Sequence, residues 1–236
     1  MSQQQSFAHA LRALSLAVLI AASPLSSADD WDEREDRDDD RRSDELGAHW
    51  WQHAASFAVG ENPINDDTGE RCIVGQRGDV WFLYGSFGNE PGFPTVRECT
   101  VPAGVTLFFP IVNLVCIPFP GETLPENLQI CRDLIDQADI LNLEINDRDR
   151  SQLIKRRTQS RPFVLSLPED NIFDFEGFDA PAGTYLGVGD GYYVKTKLRK
   201  GVHTIRIRGG ISAFDFELDV IYVLNVVKPA KSIAPR

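Results

Sequence analysis

The stretch Phe214-Asp215-Phe216-Glu217-Leu218-Asp219-Val220-Ile221-Tyr222-Val223-Leu224-Asn225-Val226 decides the fold. Its apolar residues fall at 214, 216, 218, 220, 222, 224 and 226, a strict period of two. In an extended chain that period places every one of them on the same face. The pattern predicts a long, half-buried strand spanning 214–226 in a sheet with one covered face.

The same alternation recurs upstream. His203, Ile205 and Ile207 share one parity, and Thr204, Arg206 and Arg208 take the other. Phe163, Leu165 and Leu167 alternate cleanly, as do Leu141, Leu143 and Ile145. Val80 to Tyr84 is apolar on both faces. Thr106–Val112 is an apolar run in which Pro110 marks a sheet edge or a bend, because proline cannot donate to a ladder. Turns with glycine precede three strands, at Val101-Pro102-Ala103-Gly104, Ala180-Pro181-Ala182-Gly183 and Arg199-Lys200-Gly201. Asn146-Asp147-Arg148-Asp149-Arg150 reads as a hairpin tip. Two helices break the pattern. Leu46, Trp50, Ala54 and Phe57 recur at helical spacing up to a stop at Asn62-Pro63. Thr123-Leu124-Pro125-Glu126 is a capping box with proline in the first turn, followed by Leu128, Cys131, Ile135 and Ala138. The expected fold is an all-β, mainly antiparallel sandwich, jelly-roll-like, with one or two short helices.

That sandwich is expected over residues 47–228, a length that buries a substantial core. Residues 1–28 read as a signal peptide. Arg12 precedes the apolar run Ala13–Ala22, Pro24 breaks it, and Ser26-Ser27-Ala28 supplies small residues for cleavage. The run is about ten residues, against roughly 20 for a membrane span, so no membrane span is expected. Residues 29–46 read as a disordered acidic spacer. Between Asp29 and Glu45 lie eleven acidic and four basic residues, and such a segment cannot offset its chain entropy by burial. Residues 229–236 form a basic C-terminal tail. The whole chain carries −11, most of it in the spacer, which speaks against nucleic acid as a partner.

Export changes the reading of Cys72, Cys99, Cys116 and Cys131. An even set in an oxidising compartment predicts two disulfides, and pairing Cys72–Cys99 and Cys116–Cys131 closes the shorter loops. No C-x-x-C spacing supports a zinc site. The expected location is exported, periplasmic or extracellular.

A longer series of residues points to a family. Trp50-Trp51-Gln52, Asn62-Pro63, Asp67-Thr68-Gly69, Cys72, Gly75-Gln76, Gly78 and Val80-Trp81-Phe82-Leu83 come first. Cys99-Thr100-Val101-Pro102-Ala103-Gly104, Leu107-Phe108-Phe109-Pro110 and Asn113 follow. Asp190-Gly191-Tyr192-Tyr193 and Gly201-Val202-His203-Thr204-Ile205 complete it. The series resembles a family of secreted bacterial proteins with no assigned function and covers most of residues 50–225. In that family's pattern the position of His53 is aromatic. The resemblance implies no activity.

Gly85-Ser86-Phe87-Gly88 falls one residue short of a nucleophile elbow, and no Ser-His-Asp order can be read beside it. His49 and His53 stand four apart but lack the glutamate of a zinc helix. Asp66, Asp67 and Glu70 cluster around Gly69, and Asp170, Asn171, Asp174 and Asp179 form a second oxygen-rich run. Either run suits a structural calcium, the one cofactor left open; turn capping by the same residues is the competing reading. Asp174, Glu176 and Asp179 are the carboxylates available to a glycosidase. Tyr192, Tyr193 and His203 suit a lyase base. Trp51, Tyr192, Tyr193, His203 and Asp190 form the candidate ligand-binding set, with Trp51 and one of the two tyrosines expected on an exposed, ring-binding surface. The leading expectation is an exported, non-catalytic module that binds a polysaccharide or cell-envelope component. A secreted carbohydrate-active hydrolase or lyase and a structural envelope protein are the alternatives.

Overall fold

The computed structural model describes residues 43–90, 92–118, 121–175, 177 and 180–228. The expected signal peptide at 1–28, most of the spacer at 29–46 and the tail at 229–236 lie outside the described residues.

Two five-stranded sheets face one another. Sheet A has the order β1 (Val80–Phe82), β3 (Thr106–Cys116), β8 (Gly183–Thr196), β6 (Thr158–Gln159), with β7 (Phe163–Leu167) also paired to β8. Sheet B has the order β2 (Thr95–Pro102), β10 (Phe216–Val227), β9 (Gly201–Ile211), β4 (Ile140–Ile145), β5 (Arg148–Asp149). Most pairs are antiparallel. Each sheet also holds one parallel pair, β1 with β3 and β2 with β10, because the chain crosses from one sheet to the other between β1, β2 and β3. Periodicity fixes which face a residue takes but not its neighbour's direction, so these parallel pairs were not legible in the sequence.

The strand that decided the fold lies between β2 and β9 in sheet B. Leu218, Val220, Tyr222, Leu224 and Val226 are all buried between the sheets. Phe214 departs from the expectation. It sits in a 3-10 turn, Ser212–Phe214, and is exposed, because Asp215 turns left-handed (φ 52°) and the ladder begins only at Phe216. A short polar residue tolerates that region better than most. The tip Asn146-Asp147 has both residues at positive φ (53° and 57°), as a two-residue hairpin between β4 and β5 requires. The capping box forms, with the Glu126 carboxylate accepting from the Thr123 amide at 3.2 Å, and opens α2 (Leu124–Ile135).

Sheet A is covered on both faces. Leu107, Phe109 and Ile111 of β3 point toward sheet B, against Ile205, Ile207 and Val220. At Gly209 the sheets approach so closely that a Cβ would stand 2.0 Å from the carbonyl oxygen of Ile111. The opposite face of sheet A carries Phe108 and Tyr193, and packs beneath the first helix, α1 (residues 43–54), through Trp50, Trp51 and Ala54. This helix begins at residue 43, inside the segment expected to be spacer up to residue 46. Ser43 is buried there, which ties the end of the acidic run to the domain. The helix stops at residue 54, short of the expected end at Asn62-Pro63 and of Phe57; the buried Asn62 amide donates to the Ala54 carbonyl at 2.8 Å and holds the following turn against its end. Both disulfides pair as anticipated, Cys72–Cys99 and Cys116–Cys131. Disulfides persist in oxidising compartments, which agrees with an exported location. Among the described residues, no helix is long and apolar enough to cross a membrane.

Arg97 holds three segments together. It lies on β2 with the parity of Cys99 and Val101, and its side chain is buried. Its guanidinium donates to the carbonyls of Ile64 (2.7 Å), Tyr84 (2.8 Å) and Gly85 (3.1 Å), to the Tyr222 hydroxyl (2.9 Å) and to the Asp66 carbonyl. Arg97→Met keeps the apolar stem and takes the donor from the buried carbonyls of Ile64, Asp66 and Gly85, whereas that of Tyr84 still accepts from the Tyr222 hydroxyl at 3.0 Å. At about 1–3 kcal/mol for each unsatisfied buried group, this variant should lose at least about 3 kcal/mol of unfolding free energy. Urea denaturation measures it, and a loss under about 1 kcal/mol would show that the loops hold without the cation.

Candidate functional site

A cleft of about 550 Å³ opens where sheet A loses its edge strand. β1 accompanies β3 only from Thr106 to Phe108. Beyond Phe108 the β1 chain leaves sheet A, and Asn89 bonds across to β10, its amide donating to the Glu217 carbonyl at 2.9 Å. β3 therefore runs on without a described strand on that side. Pro110 lies at this edge, as its missing N–H allows, and the ladder with β8 shifts register between Pro110 and Val112. The floor of the cleft is β3 from Pro110 to Val115. Trp50, Trp51 and Phe173 form one wall; Ile211, Phe214, Phe216 and Leu218 form the other. Asn127 and Leu134 of α2 close one end, and Cys116–Cys131 pins that helix to β3. Among the described lining residues there is no Asp, Glu, His, Lys or Arg. The volume falls in the range of small-molecule sites, about 300–1,000 Å³.

Behind this lining, sealed from the cleft, lie three polar groups: Trp51 Nε1, Asn113 Nδ2 and the Tyr193 hydroxyl. None has a hydrogen-bond partner among the described residues. Asn113 and Trp51 aim hydrogen at the Tyr193 oxygen and act to lower its pKa, in a looser geometry than a normal hydrogen bond. Burial, together with the charge of Asp190, pushes the Tyr193 pKa well above its ordinary value, so the hydroxyl keeps its proton. Each element contributes one group. The indole of Trp51 lies over the bare backbone of β8, where a Cβ on Gly189 would stand 2.9 Å from the ring. Tyr193 stacks on Phe108 with centroids 5.2 Å apart, and Trp51 stacks on Phe173 at 5.9 Å. Such packing fixes the rings.

The other expected site residues are distributed as follows. Trp51 and Tyr193 are buried rather than exposed, because α1 packs flat on sheet A. Asp190 is fully buried and is held by Arg157 through both carboxylate oxygens (2.8 and 2.7 Å) and by Gln159 (2.9 Å). Arg157 also pairs with Asp136. Tyr192 is half buried and packs toward the core between the sheets. His203 is not near it. The Asn146 amide bonds His203 Nδ1 at 3.1 Å, and Nε2 donates to the Arg199 carbonyl at 2.9 Å, so the ring fastens a hairpin tip. Val112, which pairs with Tyr192, touches β9 at Gly209, six residues or about 20 Å of strand from His203. No lyase pair forms from these two.

Asp66 acts as a loop cap. One carboxylate oxygen accepts from the Thr68 amide and hydroxyl (3.0 Å each) and the Gly69 amide (2.9 Å); the other accepts from the Arg71 amide (2.8 Å). Those bonds outweigh desolvation and hold its pKa below the ordinary carboxylate value. Asp67 and Glu70 point to solvent and do not join it. Asn171 caps the short helix α3 (Ile172–Phe175) by accepting from the Phe173 amide at 3.0 Å. Glu176, Asp179 and the side chain of Asp174 lie outside the described residues, and with them the expected carboxylate set and half of the second calcium run; Asp170, in its other half, is exposed. Among the described residues, no group of three or more His, Cys, Asp or Glu is placed to hold a metal ion. Ser86 lines the cleft, but its hydroxyl donates to Asn89 Oδ1 at 2.8 Å in the turn. His49 is exposed, whereas His53 is packed between Phe57, Phe82 and Tyr84, with Nδ1 accepting from the Tyr84 hydroxyl at 2.5 Å.

Two elements of this site carried a sequence signal that was not used. Asn113 is the one polar residue in the apolar run from Leu107 to Cys116. Arg97 shares the inward parity of Cys99 and Val101. No known protein family, curated protein or solved structure matches the chain.

Two outcomes test this local chemistry. Tyr193→Phe removes a buried group without a partner, and such a group costs about 1–3 kcal/mol. Its thermal midpoint should equal or exceed that of the wild type by calorimetry; a clear drop would mean that the hydroxyl is bonded. Burial holds the His53 pKa below the ordinary value of about 6.5. The unfolded chain then takes up this proton first, so the stability tied to neutral His53 is full above that value and is lost as pH falls from there through the folded pKa. Unfolding free energy in urea should decline on acidification below neutrality, and His53→Gln, which keeps an acceptor for Tyr84, should flatten that decline. An identical slope in both proteins would place the titration elsewhere.

Proposed function

We propose that the chain is an exported, non-catalytic binding module, periplasmic or extracellular, and that its site is the cleft along β3. One observation carries the reading: a cleft of about 550 Å³ along the open edge of β3 has walls that are almost wholly aliphatic and aromatic. Sites that await a ligand combine apolar walls with a small number of placed polar groups. The chamber has no described carboxylate, so a glycosidase pair or an acid–base mechanism finds no support there. Its walls are aliphatic and aromatic, and they fit an apolar envelope component better than a hydroxyl-rich sugar, whose oxygens would each need a partner.

The neutral dye N-phenyl-1-naphthylamine is a suitable first probe. Its fluorescence should rise on mixing with the exported, disulfide-bonded protein, with saturation at micromolar concentration. Leu114→Trp narrows the cleft at its floor and should weaken dye binding at least about tenfold, while circular dichroism stays unchanged. No binding by the wild type, or equal binding by the variant, would overturn the assignment of the cleft.

A further inference from the structure

We infer that one end of the sandwich is a basic docking surface, and that the partner it fits is this chain's own acidic segment, residues 29–42. The inference is independent of the cleft. The strand pairings bring together, at one end of the two sheets, the start of β3, the ends of β4, β8 and β10, and the start of β9. All five described lysines stand at or beside that end: Lys155, Lys195, Lys197, Lys200 and Lys228. Lys195 lies on β8 opposite Phe108, Lys197 and Lys200 belong to the β8–β9 turn, and Lys228 follows the strand in which Val226 pairs with Gly201. Lys155 joins them because its amide donates to the Tyr193 carbonyl at 3.1 Å. Arg156 and Arg199 are exposed alongside, and Arg148 stands on the β4–β5 tip. The described acids set among these cations are Asp79, Asp147 and Asp149, and Asp149 already accepts from the Ser151 amide at 2.8 Å. At the opposite end the sign reverses: α2 and its flanks carry Glu122, Glu126, Asp133 and Asp139, and the turn into β10 carries Asp215. The cations are therefore gathered at one end of a chain whose net charge is −11.

Like charges crowded on one surface repel one another, and an opposite charge laid over them relieves that cost. The chain supplies it. Residues 29–42 hold nine carboxylates against four arginines. The segment also ends beside the surface. Ser43, the next residue, is buried, and Asp44 and Glu45 share a surface pocket with Arg161. A Cβ on Gly47 would stand 3.3 Å from the Tyr193 ring, and Tyr193 is the residue whose carbonyl takes the Lys155 amide. From that anchor fourteen extended residues reach roughly 46–50 Å. Five strands about 4.8 Å apart in two sheets about 10 Å apart make an end roughly 20 Å by 10 Å. The segment can thus reach all five lysines. Each exposed ion pair is weak, so the number of pairs carries the contact. The acidic end of a second copy has the same sign, but it must arrive from solution, whereas the tethered segment is present at high effective concentration.

The test is zero-length cross-linking of the exported, disulfide-bonded chain with a carbodiimide, which joins a carboxylate to a lysine amine only on contact. At low ionic strength, mass mapping should find residues 29–40 joined to Lys197, Lys200 and Lys228 within the monomer. In about 1 M salt, where the screening length is about 3 Å, these products should fall at least about tenfold. Lys155 lies beside the anchor, so a product with Lys155 alone would reflect tethering and overturn the docking. Products confined to a covalent dimer would give the surface to a second copy and overturn it too. A variant with the nine carboxylates replaced by their amides supplies an independent readout. At low ionic strength its backbone amide resonances over 196–202 should differ from those of the wild type, and in about 1 M salt they should coincide. Those over 121–127, at the opposite end, should match throughout. Identical spectra in both conditions would show that the segment does not touch the basic end. The same variant should bind phosphatidylglycerol vesicles at least about tenfold more tightly than the wild type, because uncovered lysines are drawn to an anionic surface. Equal binding would show that the segment does not cover them.

Discussion

The guanidinium of Arg97 is the interaction on which the rest of the structure depends. A buried cation ordinarily requires an anion, because removing it from water is costly. Here carbonyl oxygens and a tyrosine hydroxyl surround it: Ile64, Asp66, Tyr84, Gly85 and Tyr222 each supply one acceptor. The planar fork of arginine reaches several acceptors at once, which lysine cannot do. The acceptors belong to the loop after α1, the chain leaving β1, and β10. Arg97 therefore fixes the point where the β1 chain abandons sheet A for sheet B. Cys72–Cys99 lies two residues along the same strand and ties the same loop from its other end.

That departure creates the cleft. Had β1 continued beside β3, a strand would cover Pro110 to Val115 and the sheet edge would be closed. Pro110 instead removes a donor from the exposed ladder, a common means of keeping an edge from pairing with another chain. The register shift after it turns Ile111 and Val112 together into the core between the sheets. It also turns Asn113 toward Tyr193 and Trp51. The open edge, the register shift and the orphaned amide thus share one origin.

The helix α1 supplies the other half of the site. Trp50 and Trp51 are adjacent in sequence yet serve different ends. Trp50 Nε1 donates to the Leu83 carbonyl at 2.9 Å and is satisfied within the fold. Trp51 Nε1 has no such partner and lies over the bare backbone of Gly189.

Alternation along single strands determined the two-sheet architecture: the parity of Leu218 to Val226, and of Ile205 with Ile207, marks a covered face wherever the strand lies. The capping box at Thr123, the Asn146-Asp147 tip and the pairing of neighbouring cysteines were equally local, since each depends on residues close in the chain. Tertiary structure decided what needs distant segments. It set the parallel pairs, the burial of Trp51 and Tyr193 beneath α1, the conversion of Asp66 from a calcium candidate into a loop cap, and the separation of His203 from Tyr192. The candidate site belongs to this second group. Its lining comes from α1, β3, α2 and the start of β10, and only packing brings residues so far apart in sequence as Trp51, Asn113 and Phe216 to one cleft.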